Sequence, residues 1–442
     1  MEKTQLYGKM VAQKKRSLYT HGPNDLMEIT VMTHGAELLA PAGNLEKLKT
    51  VLRYGADAAY LGGKAFNLRA GSSNFSMDAL KEGVDFAHSL GKRVYVTLNI
   101  IAHNRDVKGL PNFVKFLEEI GVDAVIVADI GIMSLVRENS NLPIHVSTQA
   151  STANWMTAKT FHQMGAKRVV LARELGLDEI KSIKDKVPEL ELEVFVHGAM
   201  CMTYSGRCSM SSYMTQRDSN HGMCSNSCRW KYALVEEKRP GVYYPVYEDE
   251  TGNYMYNSKD LCTIDFMDKI IDAGVSGLKI EGRNRGILYG ATTTNVYRAA
   301  LDRYKSGSFA VDQTWIDELE TYRHRGYTTG FFFGKLDRHA QRLDGKSDEN
   351  YVLAGVVKDV IGPGHYLITA RNKFITGQEL EAVRPGVTSK IKFQAVAINS
   401  PTNNAPVPDT KPGYDYLITI DAPLDVGDLL RVKSQEHDLE EN

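Results

Sequence analysis

The sequence predicts an α/β protein: a TIM-type (β/α)8 barrel with a long cysteine-bearing insertion after strand seven, plus a small C-terminal all-β domain. Three observations predict it. From Glu37 onward, short β-branched and apolar runs alternate with amphipathic helical stretches. Eight such runs occur in βαβα order, the number that closes a parallel barrel. Beyond residue 350 the texture changes to short runs divided by Gly, Pro and Asn turns.

The eight strands are expected at residues 37–42, 58–63, 93–99, 124–129, 144–148, 168–173, 192–197 and 277–281. Leu45, Leu48, Val51 and Leu52 share one face of the first helix, residues 78–90 form the second, and residues 287–305 close the barrel. Gly55, Gly91, Gly121, Gly165 and Gly274 each follow a helical stretch, where a left-handed residue stops a helix. The strands are nearly continuous apolar runs, as parallel strands covered on both faces should be. An open doubly wound sheet shares this order. Its nucleotide-binding form loses support because no GxGxxG or Walker motif follows the first strand.

The expected domain plan is a basic N-terminal extension (1–35), the barrel (36–336) with its insertion (198–276), a charged linker (337–349) and the β domain (350–434). The insertion far exceeds the ~2–6 residues of an ordinary βα connection. It carries a tyrosine-rich stretch, 243–256, that reads as a hairpin with Glu250-Thr251-Gly252-Asn253 as its turn. Strands of the β domain are expected at 352–360, 364–369, 378–383, 390–398 and 416–420.

The 442 residues carry a formal net charge of −1, which excludes a uniformly basic coat but allows a local basic groove. No apolar run approaches the ~18 residues of a membrane span. The first residues are polar and basic without an apolar core, so no secretory signal is expected and a cytoplasmic location is. Lys14-Lys15-Arg16 reads as a solvated tail. In a reducing compartment the five cysteines are not expected to form disulfides.

All five cysteines fall between Cys201 and Cys262. Cys201, Cys208, Cys224 and Cys228 form the pattern C-x6-C-x15-C-x3-C directly after the seventh strand. Four soft thiolates within 28 residues suit an iron–sulfur cluster or zinc, and buried thiols are the bland alternative. The spacing lacks the paired C-x2-C knuckles of a zinc ribbon. Cys262 reads as a small buried apolar residue.

Barrel chemistry sits at the C-terminal ends of the strands. Polar residues stand there: Asn99, Asp129, Gln149, Arg173 with Glu174, His197, and around the eighth strand Lys279, Glu281 and Arg283. Each alone could be a hydrogen-bonded structural group. Together they outline a charged pocket in which Arg173, Arg229, Lys279 and Arg283 could hold a small organic anion. No HExxH or GxSxG motif is present. Cys201 near His197 could be forced into a cysteine-protease dyad, a poorer account of four cysteines.

Long strings carry a family resemblance. They are Leu38-Leu39-Ala40-Pro41-Ala42-Gly43-Asn44, Tyr60-Leu61-Gly62-Gly63, Ser147-Thr148-Gln149, His197-Gly198-Ala199-Met200-Cys201, Tyr204-Ser205-Gly206-Arg207-Cys208, Cys228-Arg229-Trp230, Asn257-Ser258-Lys259-Asp260-Leu261 and Leu278-Lys279-Ile280-Glu281-Gly282-Arg283. At these residues the chain resembles the peptidase U32 (collagenase-like) family, and most closely its tRNA-hydroxylating branch. The resemblance implies hydroxylation of wobble uridine to 5-hydroxyuridine in tRNA, with prephenate as a needed metabolite. It implies a [4Fe–4S] cluster on Cys201, Cys208, Cys224 and Cys228, with zinc as the alternative. His197, Lys279, Glu281 and Arg283 are the expected catalytic residues; Asn99, Gln149, Arg173 and Arg229 are the expected substrate-binding ones. The expected partners are tRNA, a small organic anion, and a second copy or a family paralogue. The family name records a peptidase assignment, so a protease or hydrolase is one alternative; a non-catalytic RNA-binding protein with a structural zinc is the other. A wobble base can be splayed from its loop and stacked on aromatics. Trp230, Tyr204 and Tyr213 are candidates for that, although buried packing is expected of each.

Overall fold

The computed structural model describes residues 35–64, 66–67, 74–201, 203–229, 258–335 and 350–434, with four two-residue strands between 234 and 253. The expected N-terminal extension up to residue 34, the linker 337–349 and Trp230 lie outside the described residues.

Eight parallel strands close a barrel: β1 (Glu37–Pro41), β2 (Ala58–Leu61), β3 (Arg93–Leu98), β4 (Ala124–Val127), β5 (Ile144–Val146), β6 (Ala166–Val170), β7 (Glu191–Ala199) and β13 (Gly277–Ile280). The last strand pairs with both β7 and β1, which completes the circle. The expected barrel is therefore the observed one, and the open sheet is excluded. Helices wrap it: α1 (Leu45–Arg53), α2 (Met77–Ser89), α3 (Asn104–Val107), α4 (Leu110–Glu119), α5 (Ile130–Asn139), α6 (Trp155–Gln163) and α7 (Leu177–Lys186) precede β7. Their starts are capped by side chains that satisfy orphan N–H groups: Asn44 accepts from Lys47 N at 2.9 Å and Asp129 from Ile132 N at 3.0 Å. Asp129, expected at the pocket rim, is thus a helix cap. Its position after a strand end and before an apolar helix allowed either reading.

The insertion begins with α8 (Met210–Thr215). Four short strands follow, β8 (Leu234–Val235) paired with β9 (Tyr243–Tyr244), and β10 (Glu248–Asp249) with β11 (Gly252–Asn253). The hairpin is present, but Gly252 and Asn253 pair with β10 and do not form its turn. An unexpected strand, β12 (Asp260–Cys262), runs antiparallel to β7. After it come α9 (Met267–Asp272), then α10 (Ile287–Lys305), α11 (Gln313–Leu319) and β14 (Tyr327–Thr328), which extends β12. Asp260 anchors this edge: it is buried and takes Arg285 at 2.7 Å and Arg325 Nε at 3.1 Å.

The C-terminal part is a second, closed antiparallel barrel in the order β15-β16-β19-β18-β17-β20. Its strands are β15 (Tyr351–Gly362), β16 (His365–Ala370), β17 (Glu379–Arg384), β18 (Val387–Asn399), β19 (Asp415–Ile420) and β20 (Leu429–Lys433). Five were legible from alternation. The sixth, Leu-Leu-Arg-Val-Lys, was hidden by a charge that proves to be buried. The two barrels share a seam of Tyr54, Ile287, Leu288, Ala291, Val383 and Leu429. Among the described residues no helix is long and apolar enough to cross a membrane.

Candidate active site

The inside of the main barrel is unusual in carrying charge. Parallel barrels normally fill with branched apolar side chains. Here Leu39, Ala58, Tyr60, Tyr95, Ala124 and Ile126 make only part of the filling. Glu37, Arg168, Glu193 and Lys279 bring charge into it, all buried. Lys279 Nζ donates to Glu193 at 2.8 Å, Arg168 to Glu193 at 3.0 Å and to Glu37 at 2.5 Å. Tyr95 adds a bond to Glu37 at 2.7 Å. Two buried carboxylates thus face two buried cations, joined from the edge by Glu191 on Arg168 at 2.7 Å and Arg93 on Glu37 at 2.9 Å, and such pairing is the condition under which buried charge is tolerable. Burial pushes the Glu193 carboxyl up, but Lys279 and Arg168 overcome it and hold it below the usual range. Burial first, then Arg168 and Lys279, pull His145 well below the usual imidazole range, so it stays neutral. Lys279, expected to be catalytic, is committed to this network and lies over the Tyr60 ring at 4.5 Å.

Above this layer the strand ends form a polar rim. Asn99, after β3, donates to Ser147 Oγ and Gln149 Oε1, both at 3.3 Å. Ser147 also donates to Gln149 Oε1. Arg173, after β6, donates to the Ala199 carbonyl at 2.9 Å and to Glu281 at 3.4 Å. Its guanidinium lies over the Phe195 ring at 3.9 Å. Its Nε–H is buried and has no partner among the described residues. Arg283 is buried and bonds Thr97 at 3.0 Å, Asn67 at 2.7 Å and Asn74 at 3.2 Å. The structure therefore brings Asn99, Gln149, Arg173, Glu281 and Arg283 to one rim, and sets Lys279 beneath it. The side chain of Arg229 lies outside the described residues.

His197 stands apart from the rim, caged by Tyr289, Tyr297, Tyr322 and Tyr327. Burial lowers its pKa to about 3, against a smaller upward pull from Asp260. The next residue, Gly198, has φ +106, and a Cβ there would stand 2.5 Å from the Glu281 carbonyl oxygen. Only glycine fits a backbone passing this close with that sign of φ.

The cysteine segment folds onto the rim. Ser205 donates to Glu174 twice, from N at 2.8 Å and from Oγ at 2.6 Å. Arg207 Nε donates to the Gln149 carbonyl at 3.1 Å. Ile101 N, after β3, donates to the Asn220 carbonyl at 3.1 Å. Within the segment Asn220 clamps Cys208, accepting from its N–H at 3.1 Å and donating to its carbonyl at 2.8 Å. Ser225 N donates to Ser211 Oγ at 3.0 Å, which draws the Cys224–Cys228 stretch toward Cys208. Cys201 and Cys224 are exposed; Cys208 and Cys228 are half-buried. Cys201 Sγ lies 3.0 Å from Thr203 Oγ1. Cys262 points elsewhere, 3.9 Å from the Tyr297 hydroxyl, and burial pushes its thiol up to about 12. Tyr213 is 87% exposed and Tyr204 52%, so the expected burial of both is corrected: neither ring is enclosed by packing.

Sequence reasoning did not single out Glu37, Arg168 and Glu193, the tyrosine cage, or His103, Asp218 and His221. Glu191 and Glu193, two apart within an otherwise apolar strand, were the one available signal for an inward-facing charge.

A (β/α)8 barrel with a thiol-rich segment seated over the C-terminal ends of its strands, and a small antiparallel barrel packed against it, defines the class of protein. The chain belongs to peptidase family U32: the family model matches residues 43–342, and the model of the family's C-terminal domain matches residues 349–431. It is 37% identical over 441 residues to tRNA hydroxylation protein P of Escherichia coli, covering 88% of this chain and 94% of that protein. It is 40% identical over 362 residues to tRNA hydroxylation protein P1 of Bacillus subtilis, covering 81% and 85%. A collagenase of Porphyromonas gingivalis is 31% identical over 312 residues, covering 68% and 74%.

Proposed function

We propose that this chain is a tRNA-modifying enzyme that hydroxylates wobble uridine to 5-hydroxyuridine. The observation that carries the reading is similarity to tRNA hydroxylation proteins along nearly the whole chain, both barrels included. The position of the cysteine segment on the rim supports it, because a base docked against Tyr204 would lie next to Ser205, which is bonded to Glu174 beyond the end of β6.

Cys201, Cys208, Cys224 and Cys228 would hold an iron–sulfur cluster. The donor chemistry fits, since clusters are held by thiolates. Zinc is the alternative, since the same thiolates bind it. When bound, a cluster would supply electron transfer or Lewis acidity. The protein's own residues have simpler tasks. Arg173 offers a buried N–H to an organic anion, in this reading the prephenate-linked metabolite. Asn99 and Gln149 present amides to a base edge. Arg283 and Glu281 fix the floor of the pocket, and His197 holds the turn that launches the cysteine segment. Replacing C5–H by C5–OH oxidises the base by two electrons, so a co-substrate must deliver the oxygen and accept them.

The test is deletion of the gene followed by mass spectrometry of tRNA nucleosides. Loss of 5-hydroxyuridine, restored by the wild-type chain and not by Cys208→Ser, is expected. Unchanged 5-hydroxyuridine in a strain without a paralogue would sink the reading. Peptide cleavage abolished by Cys201→Ser would favour the peptidase alternative.

A further inference from the structure

We propose a second metal site, separate from the cysteines, in which His103, Asp218 and His221 bind one divalent first-row transition metal and fasten the cysteine segment to the barrel rim. One ligand atom from each of the three residues lies within 4.8 Å of the others. His103 belongs to the loop after β3, at the start of α3. Asp218 and His221 belong to the cysteine segment, at the two ends of one short helical turn. The site therefore joins two chain regions more than a hundred residues apart.

The local bonding prepares the lone pairs. His221 Nε2 faces Asp106 Oδ1 at 3.4 Å. Its Nδ1 is buried and has no hydrogen-bond partner among the described residues. A buried ring nitrogen without a partner is costly, and it calls for an explanation. With the proton on Nε2 toward the carboxylate, Nδ1 carries the lone pair. That is the carboxylate–histidine–metal arrangement by which an outer carboxylate orients a ligating imidazole. Asp106 serves both histidines, since its Oδ2 accepts from His103 N at 2.8 Å. Asp218 Oδ1 accepts from Asn220 N at 2.9 Å, while Oδ2 has no partner among the described residues. The two imidazole rings are 5.1 Å apart between centroids.

Two imidazoles and one carboxylate select zinc, iron, cobalt or nickel over magnesium or calcium. Metal–nitrogen bonds of about 2.0–2.1 Å would draw the ligand atoms to roughly 3.3 Å separation. His103 is exposed and can rotate to close that gap. The other positions would be taken by water. Occupancy would order Asn220, which lies between Asp218 and His221 and clamps both backbone groups of Cys208. The metal would thus preset the cysteine segment without touching a thiol.

The probe is Co2+, added anaerobically to the metal-stripped full chain. Nitrogen and oxygen ligation gives weak visible d–d bands, whereas thiolate ligation adds strong near-ultraviolet charge transfer. One equivalent with d–d bands alone is expected to survive replacement of the four cysteines by serine, and to vanish in His103→Ala and His221→Ala. Asp106→Asn should weaken it about 10–100-fold. In the four-serine variant, Zn2+ should raise the melting temperature, and adding His103→Ala, whose exposed position leaves the fold intact, should abolish that rise. If the serine variant fails to fold, the comparison of wild type with His103→Ala still decides. Equal cobalt stoichiometry and equal spectra in those two proteins would overturn the proposal.

Discussion

His197 Nε2 lies 2.8 Å from the hydroxyl of Tyr322, and Nδ1 lies 3.3 Å from the hydroxyl of Tyr297. Tyr297 gives its single proton to the Val196 carbonyl at 2.8 Å and can only accept from the ring. The imidazole proton therefore sits on Nδ1, and Nε2 accepts from Tyr322. This ring is a locked, neutral strut between β7, α10 and the bend that follows α11.

The strut predicts an acid sensitivity. Native His197 stays neutral down to about pH 3. In the unfolded chain an imidazole takes up its proton near pH ~6.5. Between those values the unfolded state binds more protons, so the stabilising contribution is complete above ~6.5 and is lost as pH falls, by at most ~1.4 kcal/mol per pH unit. Urea midpoints measured from pH 7 to pH 4 should fall less steeply in His197→Gln than in the wild type. Parallel slopes would remove His197 as the source.

The charged filling of the barrel predicts a non-additive pair. Lys279→Met leaves Glu193 short of one cation and should cost roughly 3–5 kcal/mol, as expected when a buried pair is broken from one side. Adding Glu193→Gln leaves Arg168 with Glu37, a balanced lumen. The double variant should therefore be more stable than Lys279→Met alone. Additive losses in chemical denaturation would contradict the network.

Arg431 clamps the two barrels. It donates to both oxygens of Glu318 on α11 at 2.7 and 2.8 Å, and to Glu381 on β17 at 2.8 Å. Arg431→Met buries two carboxylates without their cation and should cost ~3–5 kcal/mol. Calorimetry should then resolve two transitions where the wild type shows one. A single unshifted transition would show that the apolar seam suffices.

The cysteines should separate by reactivity. Iodoacetamide at pH 8 is expected to modify exposed Cys201 and Cys224 in the metal-free folded chain and to spare Cys262, which is half-buried and whose thiol is pushed up to about 12 and held protonated. Peptide mass mapping reads this directly. Early modification of Cys262 would place it with the other four.

Tyr213 offers the cleanest test of the proposed RNA surface. Stacking of one base on an aromatic ring contributes about 1–3 kcal/mol. Tyr213→Ala should weaken tRNA binding by about fivefold or more in a filter or mobility assay, with unchanged melting temperature. Undiminished affinity would move the docking surface elsewhere.

The sequence by itself determined the barrel, because strand and helix periods, caps and glycine stops are local properties of the chain. β1 to β7 and β13 fall within a few residues of their expected places for that reason. It also determined five of the six strands of the second domain, the family and the run of cysteines, since each is written in contiguous residues. Only the tertiary structure decided what the charged residues do. Lys279 and Glu193 stand far apart in the chain and meet inside the lumen; Arg431 finds Glu318 only once two barrels dock. His103 likewise meets His221 only when the cysteine segment folds back over the rim. A side chain's ionic partner depends on which distant strand lies opposite, and strand periodicity carries no information about that.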